Sequence, residues 1–225
     1  VTFGSGNVPA IFRHAMPGNS DADPLPPTMF ERIDETPDAQ FYIQPRFVTH
    51  IDDATISALT SFYSEILFRG ADVLDLMSSW VSHLPKVPEL GRIAGLGMNA
   101  AELDGNPRLG ERIVHDLNHD PSLPWDAARF DFVFIAVSIQ YLTRPLEVFA
   151  DIARVLRPGG QVVVSMSHRC FHTKAIRAFH AFGKDERMRL VVEYIRRAGG
   201  FDAPEALDRS PAHADPLWLV RAARI

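Results

Sequence analysis

The sequence predicts an α/β protein with a mostly parallel sheet and helices on both of its faces. Two observations carry this. Short runs rich in Val, Ile, Leu and Phe recur along residues 72–222, and amphipathic or turn-forming stretches separate them. Alternation of that kind builds parallel strands joined by helical crossovers, because a parallel sheet is apolar on both faces and must be covered on both. A third observation is size. At 225 residues, one domain with a full core is expected, preceded by an irregular arm.

The elements follow in chain order. Residues 1–40 are rich in Pro, Gly, Asn and Asp and carry Pro24-Leu25-Pro26-Pro27, which argues for an irregular arm, with one domain over 41–225. Phe41 to Val48 is apolar with polar punctuation. Asp52 or Asp53 is placed to cap a helix through Ile56, Leu59, Tyr63, Ile66 and Leu67, which Gly70 would end. Strands are expected at Asp72–Leu76, Arg92–Leu96, Arg112–His115, Phe132–Val137, Gln161–Met166 and Leu217–Ala222. Leu146 to Leu156 reads as an amphipathic helix, with Phe149, Ile152, Ala153 and Leu156 at helical spacing. The basic tract Arg169 to Arg197, interrupted by Asp185, Glu186 and Glu193, reads as a solvated helix face.

Composition excludes several classes of function. A net charge of −5 gives no electrostatic footprint for nucleic acid or an anionic membrane, and points to a small molecule as the partner. Cys170 is the single cysteine, so an intrachain disulfide is impossible and a cytoplasmic location is expected. The start Val1-Thr2-Phe3-Gly4 lacks the basic and apolar regions of a signal peptide, and no run suits a membrane span. His168, Cys170 and His172 alternate, but without the paired spacing of a zinc site no metal is expected.

In an open doubly wound sheet, ligands sit at the carboxyl ends of the strands near the switch in strand order. That singles out Asp75 to Ser79, Leu96 to Asn99, Asp116 to Asn118 and Ala136 to Tyr141. Three of the sequence's features carry a resemblance: Val73-Leu74-Asp75-Leu76 with its following turn, Phe130-Asp131-Phe132-Val133, and Leu156-Arg157-Pro158-Gly159-Gly160. Together they resemble the class I S-adenosylmethionine-dependent methyltransferases, close to the type 11 branch.

The resemblance implies a Rossmann-like sheet of seven strands with the last strand antiparallel. It also implies S-adenosyl-L-methionine as cofactor, S-adenosylhomocysteine as product, and methyl transfer to an O, N or C atom of a small molecule. The family's glycine positions after the first strand hold Met77, Ser79 and Val81, and the position of its ribose-binding acid holds Gly97. Asp75 is then expected near the methionyl amine, or as a simple strand-end cap. Ser78 and Ser79 would hydrogen-bond where the family uses glycine amides. Met98 and Asn99 border the ribose, and Asn99 replaces one hydrogen bond at most. Asp116 and Leu117 would read adenine, while Ala136 and Val137 line the cofactor.

Tyr42 and Arg46 would cover the cofactor and meet its carboxylate. Gln140, Tyr141 and His83 are candidate substrate contacts. His168, then His83 and His50, are candidate bases, with Tyr141 a second catalytic candidate. Two other readings stay open. Gly95-Leu96-Gly97-Met98-Asn99-Ala100 matches a nicotinamide-binding fingerprint with Asp116 at the ribose distance. Alternatively the chain is a non-catalytic binding or scaffold protein on a methyltransferase fold.

Overall fold

A computed structural model of the protein describes residues 24–225. The part of the expected N-terminal arm at residues 1–23 lies outside the described residues. Seven strands form one sheet in the order β3-β2-β1-β4-β5-β7-β6. They are β1 (Val73–Leu76), β2 (Ile93–Gly97), β3 (Glu111–Val114), β4 (Phe130–Ala136), β5 (Leu156–Met166), β6 (Glu205–Asp208) and β7 (Trp218–Ala223). Strands β1 to β5 run parallel, and β7 is antiparallel to both β5 and β6.

Alternate residues of each central strand serve opposite layers, as the pleat requires. Leu74, Leu76, Val133, Ile135, Val162 and Val164 join one apolar cluster with Phe149, Ile152, Val191 and Tyr194. Those last four come from α4 (Pro145–Val155) and α6 (Lys184–Ala198). Val73, Phe132, Phe134 and Val163 join the other cluster with Leu59, Phe62 and Tyr63 of α2 (Asp53–Ile66). Helices therefore cover both faces.

Helix α2 starts where its cap predicts: the Asp52 side chain accepts a hydrogen bond from the Thr55 amide. It ends earlier than Gly70, since Leu67 already turns extended. Helix α6 is more than a solvated face, because Met188, Leu190, Val191, Tyr194 and Ile195 along it are buried. The short helices α1 (Asp38–Phe41), α3 (Ala100–Asp104) and α5 (Arg177–Ala181) complete the set. Among the described residues no helix is long and apolar enough to cross a membrane.

One connection departs from the alternating pattern. Between β1 and β2 the chain from 77 to 92 forms no helix. It runs as an irregular loop through Pro85 and Pro88, two residues that lack the amide a helix interior needs. That loop lies where the glycine-poor segment was read.

The two other segments behind the resemblance lie at the opposite, amino-terminal end of the sheet. Arg157 donates to Asp131 at 2.6 Å and to Asp72 at 2.7 Å, tying β5 to the starts of β4 and β1. Gly159 sits at φ +78, which favours glycine, and a Cβ on Gly160 would lie 2.9 Å from the Arg157 carbonyl oxygen. Leu156 to Gly160 forms the irregular first part of β5, where the register with β4 shifts.

Candidate active site

The carboxyl ends of β1, β2, β3 and β4 open into one cavity, with about 140 Å³ accessible to the centre of a water molecule. Four strands end there because parallel strands all point their carboxyl ends the same way, and the order reverses beside β1. Asp75, Met77, Ser78, Ser79, Gly97, Met98, Asp116, Leu117, Ala136 and Val137 all line it. So do Tyr42, Arg46, His83 and Tyr141. Asn99, Gln140 and His168 do not. Asn99 is the cap of α3, accepting from the Glu102 amide and donating to the Tyr42 carbonyl oxygen at 2.8 Å. Gln140 donates to the Val137 carbonyl oxygen at 2.9 Å and is buried behind the wall. His168 is exposed and lies 3.2 Å from Asp215, away from the cavity.

The loop after β1 makes its turn without glycine. Met77 takes φ +58 in the left-handed region, at the first of the positions where the family carries glycine. Val137, at the end of β4, sits at φ +50, a costly conformation for a β-branched residue. Strain of this kind collects at ligand sites, where the surrounding structure holds it in place. Ser78 donates its hydroxyl to Asp75 at 2.6 Å. Burial pushes the Asp75 carboxyl up to about 6, opposed by the Ser78 and Ser82 hydroxyls.

Gly97 has a steric reason. A Cβ there would stand 2.2 Å from the Ser78 carbonyl oxygen, so no acid fits at that position. The carboxylate in this part of the cavity is instead Glu102, which sequence reasoning missed. It is buried, accepts from the Ser79 hydroxyl at 2.6 Å and from the Arg46 amide at 2.7 Å. Its signal was its place three residues after the capping Asn99, in the first turn of α3.

Asp116 is fixed by its own loop: Oδ1 accepts from the amides of Asn118 at 2.9 Å and His119 at 3.3 Å. Oδ2 has no protein partner among the described residues, and the residue faces the cavity. Tyr141 contributes its ring, while its hydroxyl accepts from the Phe171 amide at 2.7 Å. Burial pushes that hydroxyl up to about 12.

Arg46 does not reach into the cavity as a free cation. Its guanidinium lies 4.5 Å from the centre of the Phe41 ring and 5.2 Å from that of Phe171, and it donates to the Phe41 carbonyl oxygen at 3.0 Å. His50, a candidate base, and Ser138, within the strand end Ala136 to Tyr141, line the cavity too, whereas the lining residues Asp38 and Phe171 were missed.

The segment over the cavity is held down by buried charge. Lys174 is fully buried, 3.1 Å from Asp38 and donating to the Thr36 carbonyl oxygen at 2.5 Å. Arg32 donates to both oxygens of Asp38, and Asn118 to one of them at 2.7 Å. Three cationic or amide donors thus converge on one carboxylate, which offsets the cost of burying it. The nicotinamide fingerprint falls on β2 rather than on central β1, and Gly97 spends its freedom on the close approach of Ser78. Among the described residues no group of three or more His, Cys, Asp or Glu side chains is arranged to hold a metal ion.

Strand order, the antiparallel β7 and the cavity position define the class I S-adenosylmethionine-dependent methyltransferase fold, as the resemblance implied. Residues 92–164 match the sequence model of the methyltransferase domain family. A methyltransferase from Mesorhizobium loti superposes with a TM-score of 0.51 at 16% identity, over 74% of this chain and 98% of that one. The (4+2)-cyclase SpnF superposes with a TM-score of 0.55 at 17% identity, over 74% of this chain and 79% of that one. Geranyl diphosphate C-methyltransferase from Streptomyces coelicolor, solved with S-adenosylhomocysteine, gives 0.53 at 13% identity, over 75% and 77%. No curated protein matches the chain.

Proposed function

We propose that the protein is an S-adenosylmethionine-dependent methyltransferase acting on a small molecule. The observation that carries the reading is Asp116 with Leu117 on the wall of a strand-end cavity, Oδ1 of its carboxylate bonded to the Asn118 amide and Oδ2 without a protein partner among the described residues. A carboxylate beside a backbone amide suits the amino group and ring nitrogen of adenine. Glu102 and Asp75 supply further acceptors along the same wall. Solved relatives of the fold, the Streptomyces coelicolor enzyme among them, hold S-adenosylhomocysteine, and this supports the same cofactor here.

When bound, S-adenosylmethionine supplies a methyl group on a positively charged sulfur. The chain's own work is then alignment, since a well-placed acceptor gains much of its rate from position alone. Val137 and Ser138, just after β4, line the same cavity and would help to align the two reactants. Tyr42, Arg46 and Asp75 line it too; the first two would shield the donor from water, and Asp75 would meet its polar part.

A second reading, a binding protein that transfers nothing, draws support from the missing helix after β1 and the closed slot at Gly97. Calorimetric titration with S-adenosylmethionine, S-adenosylhomocysteine, NAD and NADP decides between the readings. Micromolar binding of the first two, weakened about tenfold or more in Asp116→Ala, supports the enzyme. Binding of none of the four overturns it in favour of the second reading. Binding of NAD or NADP alone moves the assignment to an oxidoreductase.

A further inference from the structure

At the amino-terminal end of the sheet, opposite the cavity, the starts of β2, β3 and β4 frame a separate groove. Arg92, Arg108, Glu111 and Arg129 line it, together with the bare backbone of Gly91 and Gly110. Three guanidiniums against one carboxylate leave a local surplus of positive charge, in a chain whose net charge is −5. Glu111 does not neutralise that surplus. It accepts from Arg129 at 2.8 Å through one oxygen and from the Trp125 indole at 2.7 Å through the other.

Neither Arg92 nor Arg108 has a carboxylate within 4.0 Å among the described residues. Arg108 is half-buried and donates to the Pro85 carbonyl oxygen at 2.7 Å. Asp72, whose charge reaches Arg92, is engaged by Arg157 at 2.7 Å. The contrast with other arginines is plain: those at 32, 144, 154, 157, 209 and 221 each hold a carboxylate at 2.8 Å or less. Strand register brings the charges together. Glu111 pairs with Ala94, and the pleat puts Arg92 on the face of Ala94, so Arg92, Glu111 and Arg129 share one side.

The two glycines keep the groove open for different reasons. A Cβ on Gly91 would stand 2.6 Å from the Gly70 carbonyl oxygen, so that position must be bare. Gly110 is under no such constraint, since a Cβ there meets nothing nearer than the Ile93 carbonyl oxygen at 3.7 Å. About 390 Å³ of the groove is accessible to the centre of a water molecule, where one water needs only about 10–15 Å³. A polyatomic anion has room. We propose that this groove is an anion site that takes a phosphate group, with Arg92 and Arg108 as its contacts and Arg129 adding charge. The planar fork of a guanidinium matches phosphate oxygens two at a time. The groove shares no residue with the cavity, so this inference does not depend on the reading above.

Calorimetric titration of the full chain with inorganic phosphate, pyrophosphate and glucose 6-phosphate tests it. The buffer holds about 0.1 M sodium chloride, which screens exposed charges beyond about 10 Å, so that heat reports contact. Saturable binding is expected, weakened about tenfold or more in Arg92→Gln and in Arg108→Gln. Gly110→Asp sets a carboxylate in the groove at a position whose backbone accepts a side chain, and is expected to weaken binding as much while leaving the thermal midpoint in place. It keeps the test sound where an arginine variant fails to fold. Arg209→Gln, an exposed arginine on Glu65, is expected to change nothing. Tighter binding of glucose 6-phosphate than of inorganic phosphate assigns the site to an organic phosphate, and equal affinity to the free ion. No saturable binding of the three, binding unchanged in Gly110→Asp, or an equal loss in Arg209→Gln overturns the proposal. So does loss of binding in Asp116→Ala, which would put the anion in the cavity instead.

Discussion

At the scale of single residues, the site is governed by close contacts that composition does not announce. Gly97 carries the sharpest expectation. Replacing it with Ala drives a methyl into the backbone of Ser78, an overpacking whose cost is about 1–3 kcal/mol. Urea unfolding is expected to show a lower midpoint at unchanged slope, since compactness is not altered. The same contact explains why sequence reading failed here. The absence of an acid at Gly97 was visible, but the carbonyl oxygen that forbids it comes from a segment 19 residues earlier, brought over by the Ser78 amide bonding to Leu96 at 2.7 Å. Glu102 was legible only in part: its spacing from Asn99 marks a helix's first turn, but not whether the acid there faces water or a cavity. His168 had the complementary fault. It follows a strand end, as site residues do, yet Asp215 draws it outward.

Among the elements, what was legible follows from pattern. Strands β1, β4 and β7 are apolar runs bounded by turns, and α4 keeps a strict apolar stripe, so each was placed within a few residues. Strand β6 was not foreseen. Glu-Ala-Leu-Asp has no β-branched or aromatic residue, and pairing with β7 at the sheet edge makes it a strand. In α4, Phe149 is fully buried between the sheet and α6, where it lies 6.3 Å from Tyr194. Phe149→Ala is expected to cost about 3–5 kcal/mol, read as a fall in thermal midpoint by calorimetry. At the start of α2, Asp52→Ala removes the cap bond to Thr55 and the acceptor for the Asp215 amide. An expected loss of about 1–2 kcal/mol, again by urea unfolding, exceeds that of an ordinary surface change.

For the whole molecule, two buried groups in one cavity pull stability in opposite directions with pH. Asp75 titrates near 6 in the folded protein against an ordinary value of 3.8, so the folded state holds more protons between those limits and this group makes stability fall as pH rises through them. His83 titrates near 4 against 6.5, so the folded state holds fewer protons and stability rises with pH across that window. Each effect is on the order of 3 kcal/mol, and together they largely offset. Asp75→Asn is therefore expected to show stability climbing between about pH 4 and 6.5, and His83→Gly to show it falling between about pH 4 and 6, both by urea midpoints across a pH series. A flat profile in both variants would contradict the shifts.

The Arg157 clamp has a consequence of another kind. The family match spans residues 92–164 and so includes Asp131 and Arg157, while the loop after β1 falls outside it. The matched part of the chain therefore holds a tie at the amino-terminal end of the sheet, opposite the strand ends that open into the cavity. The frame and the cavity are thus held by different residues: Arg157, Asp72 and Asp131 at one end of the sheet, and Asp75, Gly97 and Asp116 at the other.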